Sequence, residues 1–571
     1  MADPPFADAD CANIALTLGE AARRTPYKPA VAAAAGRGPN GRLRYTHLTF
    51  RALEQSSDRL AWGFQDLGLA RGMRTILLVR PGLEFFEILF ALFKVGAVPV
   101  IVDPGMGLQR MLACYEATRP QAMIAPPRAQ ALRLLFRKRF RAVRIRIAVG
   151  GRWGWGGKPL ATLRKPGRGP FPVAAVSPAD PAAILFTTGS TGPVKGAVYT
   201  HGGFAAQLRA VARELSFDAG EKDLSTFPLF ALFYPALGVT AVIPPLDPRH
   251  PAKADPGLLL EVMEDQGVTN LFVSPVLLER LCEFSSARGI RLSFLRRVIS
   301  AGAPVPPRVV EAARPLLDPS AAILTPYGAT EAVPVAVIGD ADILAETRAL
   351  TDRGYGICVG QPVAGIEARI LQIRDEPIPR WEEQLELPAG EIGEIAVRGA
   401  HVSPAYFENP RADALHKIDD GAGGFWHRMG DLGWMDRRGR LWFCGRKSHR
   451  VITSAGTLFT VPCEGIFNTH PLVRRSALVG VGPPGHQVPV LCVELRKTSR
   501  RIRRAVVAEE LLDLAGRHEM TRPIRTVFFR DSFPVDIRHN AKIQREALAA
   551  WAARRMRMKS ARRPRRSGSR P

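Results

Sequence analysis

Cysteine is scarce and scattered in this 571-residue chain. Cys11, Cys114, Cys282, Cys358, Cys444, Cys463 and Cys492 form no CxxC pair. That argues against a zinc site or a disulfide framework and points to a reducing compartment, the cytoplasm. Acid is also in short supply: 53 Asp and Glu stand against 79 Lys and Arg, a formal net charge of +26. One uncharged run, Phe227 to Leu246, is long enough to cross a bilayer. Pro228, Pro235, Gly238, Pro244 and Pro245 interrupt it, so it reads as a kinked, buried core segment and not as a membrane helix. The opening MADPPFADADCANIAL is acidic and lacks a basic stretch followed by an apolar core, so no signal peptide is expected. There is no internal repeat.

The bulk composition is that of a soluble globular protein, with 46% hydrophobic and 23% charged residues. The positive field attracts polyanions: nucleotides, nucleic acid or acidic lipid. It is concentrated in two blocks. One runs through Arg133, Arg137, Lys138, Arg139, Arg141, Arg144 and Arg146; the other is the C-terminal tail, acid-free after Glu546. A nucleic-acid-binding protein would interleave aromatic rings with these cations, and few are present. A solvated face and a disordered basic tail are the simpler reading.

Apolar strand-like runs alternate with helical patterns through the first half. TILLV and VPVIV flank the helical EFFEILFALFKVGA; AAILF leads into a Gly-rich turn; NLFVS follows LLLEVMEDQG; RRVIS precedes AGAPVP. Recurrent β-α-β units imply a parallel sheet covered by helices, with ligands at the loops beyond the strand C-termini. From about residue 356, short strands separated by Gly turns suggest a β-rich subdomain. After Arg446 a compact unit combines strands with the helical RRAVVAEELLDLAGRHE.

Four motifs carry chemistry. In AAILFTTGSTGPVKGAVYTHGGF a strand runs into Thr187, Thr188, Gly189, Ser190, Thr191, Gly192 and Lys195. The glycines free backbone N–H groups for phosphate oxygens, the hydroxyls add donors and Lys195 adds charge. It is not a Walker P-loop, because no GK[ST] follows. In LTPYGATEAVP, Tyr327 offers a ring face to a base, Thr330 a hydroxyl and Glu331 a carboxylate for a hard cation such as Mg²⁺; the alternative is a helix start capped by Thr330. In FWHRMGDLGWMDRRGRLWFCGRK, Asp431 in a Gly-bounded turn could grip a ribose diol, with Arg446 fifteen positions on. In FPVDIRHNAKIQREALAAW, Lys542 sits in a turn before a helix, where a lysine can stabilise charge developing on an α-phosphate.

The ordered set resembles the adenylate-forming superfamily of acyl-CoA synthetases, luciferases and adenylation domains, from roughly residue 15 to 552. The resemblance implies an α/β fold: an N-terminal AMP-binding body (1–445) with a β-rich subdomain, a small mobile α+β C-terminal domain (446–552), and a basic disordered tail (553–571). It implies ATP and Mg²⁺ as cofactors, with Thr187 to Lys195 as phosphate loop and Ala301, Gly302, Ala303 and Pro304 on the adenine side. Tyr327, with Gly328 beside it, would stack on adenine. Glu331 would hold Mg²⁺ and Thr330 would contact ATP; Asp431 would bind ribose, with Arg446 its partner before the hinge; Lys542 would be the catalytic lysine.

Three stretches, FPLFALFYPALG with AVIPPLDP, TPYGATEAVPVA and FPVDIRHNAKI, are similar to the olefin β-lactone synthetase branch. That implies a long-chain 2-alkyl-3-hydroxy acid as substrate and assembly with other enzymes of hydrocarbon synthesis. Phe230 and Phe233, in the apolar run near the phosphate loop in sequence, suggest the wall of an acyl pocket, with plain core packing the alternative; peripheral membrane contact is compatible with the basic charge. A long-chain fatty acid–CoA ligase is the alternative. Some positions depart from the superfamily pattern: valine precedes Lys195 where proline is usual, Ser448 replaces the hinge acid, Thr453 replaces a lysine, and Ala541 replaces the glycine before Lys542.

Overall fold

The computed structural model describes residues 13–561, except 152–155, 187–193, 219, 228–229, 248–252, 497–502 and 536–541. Two sheets of parallel strands carry the first half. In the seven-stranded sheet, Arg74–Leu77, Val98–Val102, Ala122–Ala125 and Pro181–Phe186 run parallel, and Gly196–Thr200 returns antiparallel along Pro181–Phe186. In the 14-stranded sheet, Lys222–Ser225, Thr240–Ile243, Asn270–Val273, Arg297–Ser300 and Ala322–Ala329 are parallel neighbours. The β-α-β reading therefore holds, with two sheets instead of one.

Helix Leu83–Lys94 lies within the core; every residue from Phe85 to Lys94 is buried. Its one buried cation, Lys94, is neutralised by Asp58 at 2.6 Å and Glu54 at 2.9 Å on helix Phe50–Asp66. Such pairing is what lets a lysine sit in an apolar core. The proline-broken run from Phe227 breaks as expected into a short turn, helix Phe233–Ala236 and strand Thr240–Ile243. No described helix is long and apolar enough to cross a membrane.

The change of texture near residue 356 is real, but these strands continue the large sheet. Ile357–Pro362, Leu441–Arg446, Phe425–Met435, Gly393–Gly399 and Ile366–Leu371 extend it with antiparallel pairings. From Val451 onward, a three-stranded sheet (Val473–Val481, Val488–Leu495, Thr526–Phe529) and its helices build cores of their own. The last helix, Arg545–Ala561, runs past residue 553, where the basic tail was expected to begin. The run REALAAWAARRMRMKSA is rich in strong helix formers, which carries the helix on; residues 562–571 lie outside the described residues.

One ion cluster fastens the antiparallel region to the start of this second unit. The carboxylate of Glu394 accepts from Arg428 (2.6 and 3.1 Å) and from Lys447 (3.0 Å). Arg428 also donates to the carbonyls of Glu376 and Leu415, and its side chain is 1% exposed. Removing one member of such a cluster strands the others without water. Arg428→Ala is expected to lower unfolding free energy by about 3–5 kcal/mol, read from urea denaturation. A loss below 1 kcal/mol would show the cluster to be dispensable.

Candidate active site

The motifs converge where the two sheets and the C-terminal unit meet. Strand Arg297–Ser300 and strand Ala322–Ala329 leave the large sheet at the same end, with Ile299 opposite Leu324. Ala301, Gly302, Ala303 and Pro304 form the loop after the first; Gly302 takes a left-handed φ of 93° that suits glycine. Tyr327 and Gly328 end the second. Thr330 and Glu331 form the tip of a hairpin with Ala332–Gly339, not a helix start. The β-branched and apolar residues on both arms (Ile323, Val333, Val335, Val337, Ile338) favour extended chain. At Gly328 a Cβ would lie 2.5 Å from the Ala332 carbonyl, so the tight hairpin requires glycine there.

Asp431 was expected in a turn. It lies instead within strand Phe425–Met435, directly opposite Arg446 on Leu441–Arg446. The fifteen-residue spacing is thus a cross-strand pair. Arg446 Nε lies 3.0 Å from Asp431 Oδ1, and the Tyr327 hydroxyl donates to Oδ2 at 2.8 Å. The Arg446 contact lacks hydrogen-bond alignment, so among the described residues the buried Oδ1 has no donor. A ribose hydroxyl would fit it. Burial pushes the Asp431 carboxyl up, against the pull of Arg446, Tyr327 and Lys542. Lys542, exposed in a bend before the last helix, is therefore near enough to act on Asp431. The Tyr327 phenol is driven well up by burial and by Asp431, and its ring is 6.0 Å from that of Phe443.

Thr187, Thr188, Gly189, Ser190, Thr191 and Gly192 lie outside the described residues. Lys195, just after them, is half-buried, and its Nζ is 2.7 Å from His416 Nε2. Burial lowers its pKa, while Glu331 raises it. Burial also takes His416 down to about 4, so at neutral pH the imidazole is uncharged and Lys195 donates to it. Glu331 Oε1 accepts from the Tyr406 hydroxyl at 2.7 Å. Lys417 donates to the Ser403 carbonyl and is taken down to about 7 by burial, with Glu331 and Asp413 opposing.

Tyr406, His416 and Lys417 escaped the sequence reading. They come from a loop, the short helix Pro410–His416 and the start of strand Lys417–Asp419, which match none of the four motifs. The adjacent His-Lys pair was the one local hint.

Phe233 lines an apolar cavity with Val211, Phe272, Ile299, Val333 and Val337. Pro326, the neighbour of Tyr327, is part of the same wall. The side chain of Phe230 lies outside the described residues.

Asp431 must be ionised to accept two hydroxyls, so nucleotide affinity should fall as pH drops through its raised pKa. Arg446 holds that pKa down. Arg446→Met should therefore shift the acid limb of affinity to higher pH, and Asp431→Asn should weaken binding by about 10- to 100-fold, the scale of hydrogen bonds to a charged group. Nucleotide titration across pH checks both. An acid limb in Arg446→Met at or below that of the parent would contradict this account.

The comparisons agree with this geometry. Residues 18–407 match the family described as AMP-binding enzyme. The chain is 48% identical, over 95% of its length and 97% of the relative, to an olefin beta-lactone synthetase of Xanthomonas campestris pv. campestris. It is 46% identical, over 95% and 98%, to one of Stenotrophomonas maltophilia. Among solved structures it resembles the amide bond synthetase McbA of Marinactinospora thermotolerans (TM-score 0.76, 23% identity, 94% of this chain and 99% of that one). It also resembles the O-succinylbenzoate coenzyme A synthetase of Bacillus subtilis in complex with ATP and magnesium ion (TM-score 0.71, 19% identity, 93% and 98%). The chain belongs to the AMP-binding enzyme family and is an ATP-dependent, adenylate-forming enzyme.

Proposed function

We propose that the chain activates a long-chain 2-alkyl-3-hydroxy acid as its acyl-AMP and then closes it to a β-lactone. The observation that carries this reading is the 46–48% identity, along nearly the whole chain, to two olefin beta-lactone synthetases. The cavity at Phe233 is only about 20 Å³, so an alkyl chain would enter there only if side chains such as Phe233 moved aside; it would then put its carboxylate beside the Tyr327 strand.

The residues divide the work as follows. Tyr327 and the loop Ala301 to Pro304 flank the base, and Asp431, set by Arg446, takes the ribose. Thr187 to Gly192 and Lys195 receive the phosphates. Glu331 fits a Mg²⁺ ligand: Tyr406 holds Oε1, and Oε2 accepts from no described residue. A cation there would be held by this one carboxylate and the phosphates of ATP. When bound, Mg²⁺ neutralises triphosphate charge. Lys542 steadies the carboxylate oxygen and α-phosphate as the acyl O–P bond forms and pyrophosphate leaves. The substrate's β-hydroxyl then attacks the acyl carbon, the acyl C–O bond to AMP breaks, and the hydroxyl proton is released. That step is unimolecular and has the proximity advantage of one. The residues of these roles, a cytoplasmic location and association with neighbouring enzymes of the same route are part of the proposal.

Lys542→Ala should cut acyl-AMP formation by about 10²-fold or more while ATP binding survives. A parental pyrophosphate-release rate would remove Lys542 from the mechanism. For the product, ATP and a 2-alkyl-3-hydroxy acid should suffice to give lactone, with no gain in turnover from coenzyme A. An acyl-CoA as main product, and no lactone without coenzyme A, would replace this reading with the ligase one.

A further inference from the structure

Between Glu116 and Asp180 the sequence contains no acid and 14 Lys and Arg, more than half of the net charge of the whole chain. The described part of this stretch does not splay into solvent. Helix Pro127–Leu135 is pinned to the seven-stranded sheet through Gln130, which donates to the carbonyls of Met123 and Ile147. The turns that follow are closed by bonds from the Arg139, Phe140 and Val143 amides to the carbonyls of Phe136, Arg137 and Phe140. Phe136, Phe140 and Val143 point inward to the core cluster of Val100, Leu112 and Tyr115. Arg137, Lys138, Arg141, Arg144 and Arg146 are left exposed on a fixed ridge. Among the described residues, Arg139 has an acidic partner there, Glu116 at 3.5 Å. Leu135, the residue before the ridge begins, is 74% exposed.

We infer that this ridge is a docking face for an anionic lipid surface, with the five cations on the headgroups and Leu135 in the acyl boundary. Clustered Lys and Arg beside a protruding apolar side chain are what such a surface recognises. A nucleic acid would be met by exposed aromatic rings able to stack on bases, but the two phenylalanines of the ridge are turned into the core. An acidic protein would use the charge but leave Leu135 without a purpose. The crowding of like charge is felt within the fold: burial lowers the pKa of Arg133, and Arg146 and Arg137 lower it further. The inference does not depend on which product the active site makes.

The test is sedimentation of the full chain with vesicles of phosphatidylcholine alone or with phosphatidylglycerol added. Binding should require phosphatidylglycerol. The triple variant Arg137→Gln, Lys138→Gln, Arg141→Gln should weaken it about 100-fold, since each cation at a charged membrane counts for about fivefold. Leu135→Ser should weaken it about tenfold while leaving retention on double-stranded DNA unchanged. A chain shortened after Ala561 should still bind, which separates the ridge from the Arg-rich end. All these side chains are at the surface, so thermal melting of each variant should match the parent. No binding to anionic vesicles, equal binding to neutral ones, parental binding by the triple variant, or parental binding by Leu135→Ser would each overturn the inference.

Discussion

The proposed nucleotide site is organised around one buried carboxylate, that of Asp431. Leaving water costs it several kcal/mol in general terms, and three separate parts of the chain offset that cost. Arg446 faces it across a strand pair, the Tyr327 phenol donates to it, and the charge of Lys542 reaches it from the C-terminal unit. Each contact fixes a feature the chemistry needs. The ring of Tyr327 is oriented by its own hydroxyl bond, Arg446 is held at the edge of the body, and the bend carrying Lys542 is drawn toward the site. The pKa of Asp431 and the position of the C-terminal unit are thereby coupled: moving Lys542 away removes one of the charges that oppose its upward shift.

A second layer lies beyond it, toward the phosphate side. Lys195, Lys417, His416 and His427 stand close together around the Glu331–Tyr406 pair, and burial disfavours charge on all four bases. The two imidazoles are neutral at pH 7, with ring centroids 6.0 Å apart. The layer therefore offers donors without a full complement of positive charge. It is suited to gaining charge when an anion arrives, because a phosphate nearby raises the pKa of each lysine.

How far this was legible in the sequence depends on whether the cause was local. The strand Val98–Val102 and the helix inside EFFEILFALFKVGA were legible because period and composition act over a few residues. The division of the parallel strands into two sheets was not, because any of the apolar runs could pair with any other. Asp431 was identified as a site residue but placed in a turn: the glycines around it, Gly430 with φ of 66° and Gly433 packed against the Trp442 carbonyl, serve a bent strand instead. Thr330 looked like a cap and is a hairpin tip, since the valines and isoleucines after it override the local cap signal. Tyr406 and His416 acquire meaning only through partners 75 and 221 residues away, at Glu331 and Lys195.

The junction between body and C-terminal unit bears on the second half of the reaction. Ser448, at the position of the usual hinge acid, lies in the short turn Lys447–His449. Both flanks of that turn are tied down: Lys447 to the buried Glu394 and to the Arg374 carbonyl, Arg450 to Asp375. A large rotation about this segment would take Lys447 from a carboxylate that is 1% exposed and already shared with Arg428. Thioester formation requires room for an external thiol to enter, and in enzymes that rotate a domain for this purpose the hinge must give way. Closure by a hydroxyl on the substrate's own β-carbon requires neither entry nor rotation, because nucleophile and acyl carbon are already held together. A tightly tied junction therefore handicaps the ligase reaction and leaves lactone closure unaffected. This asymmetry favours the intramolecular route.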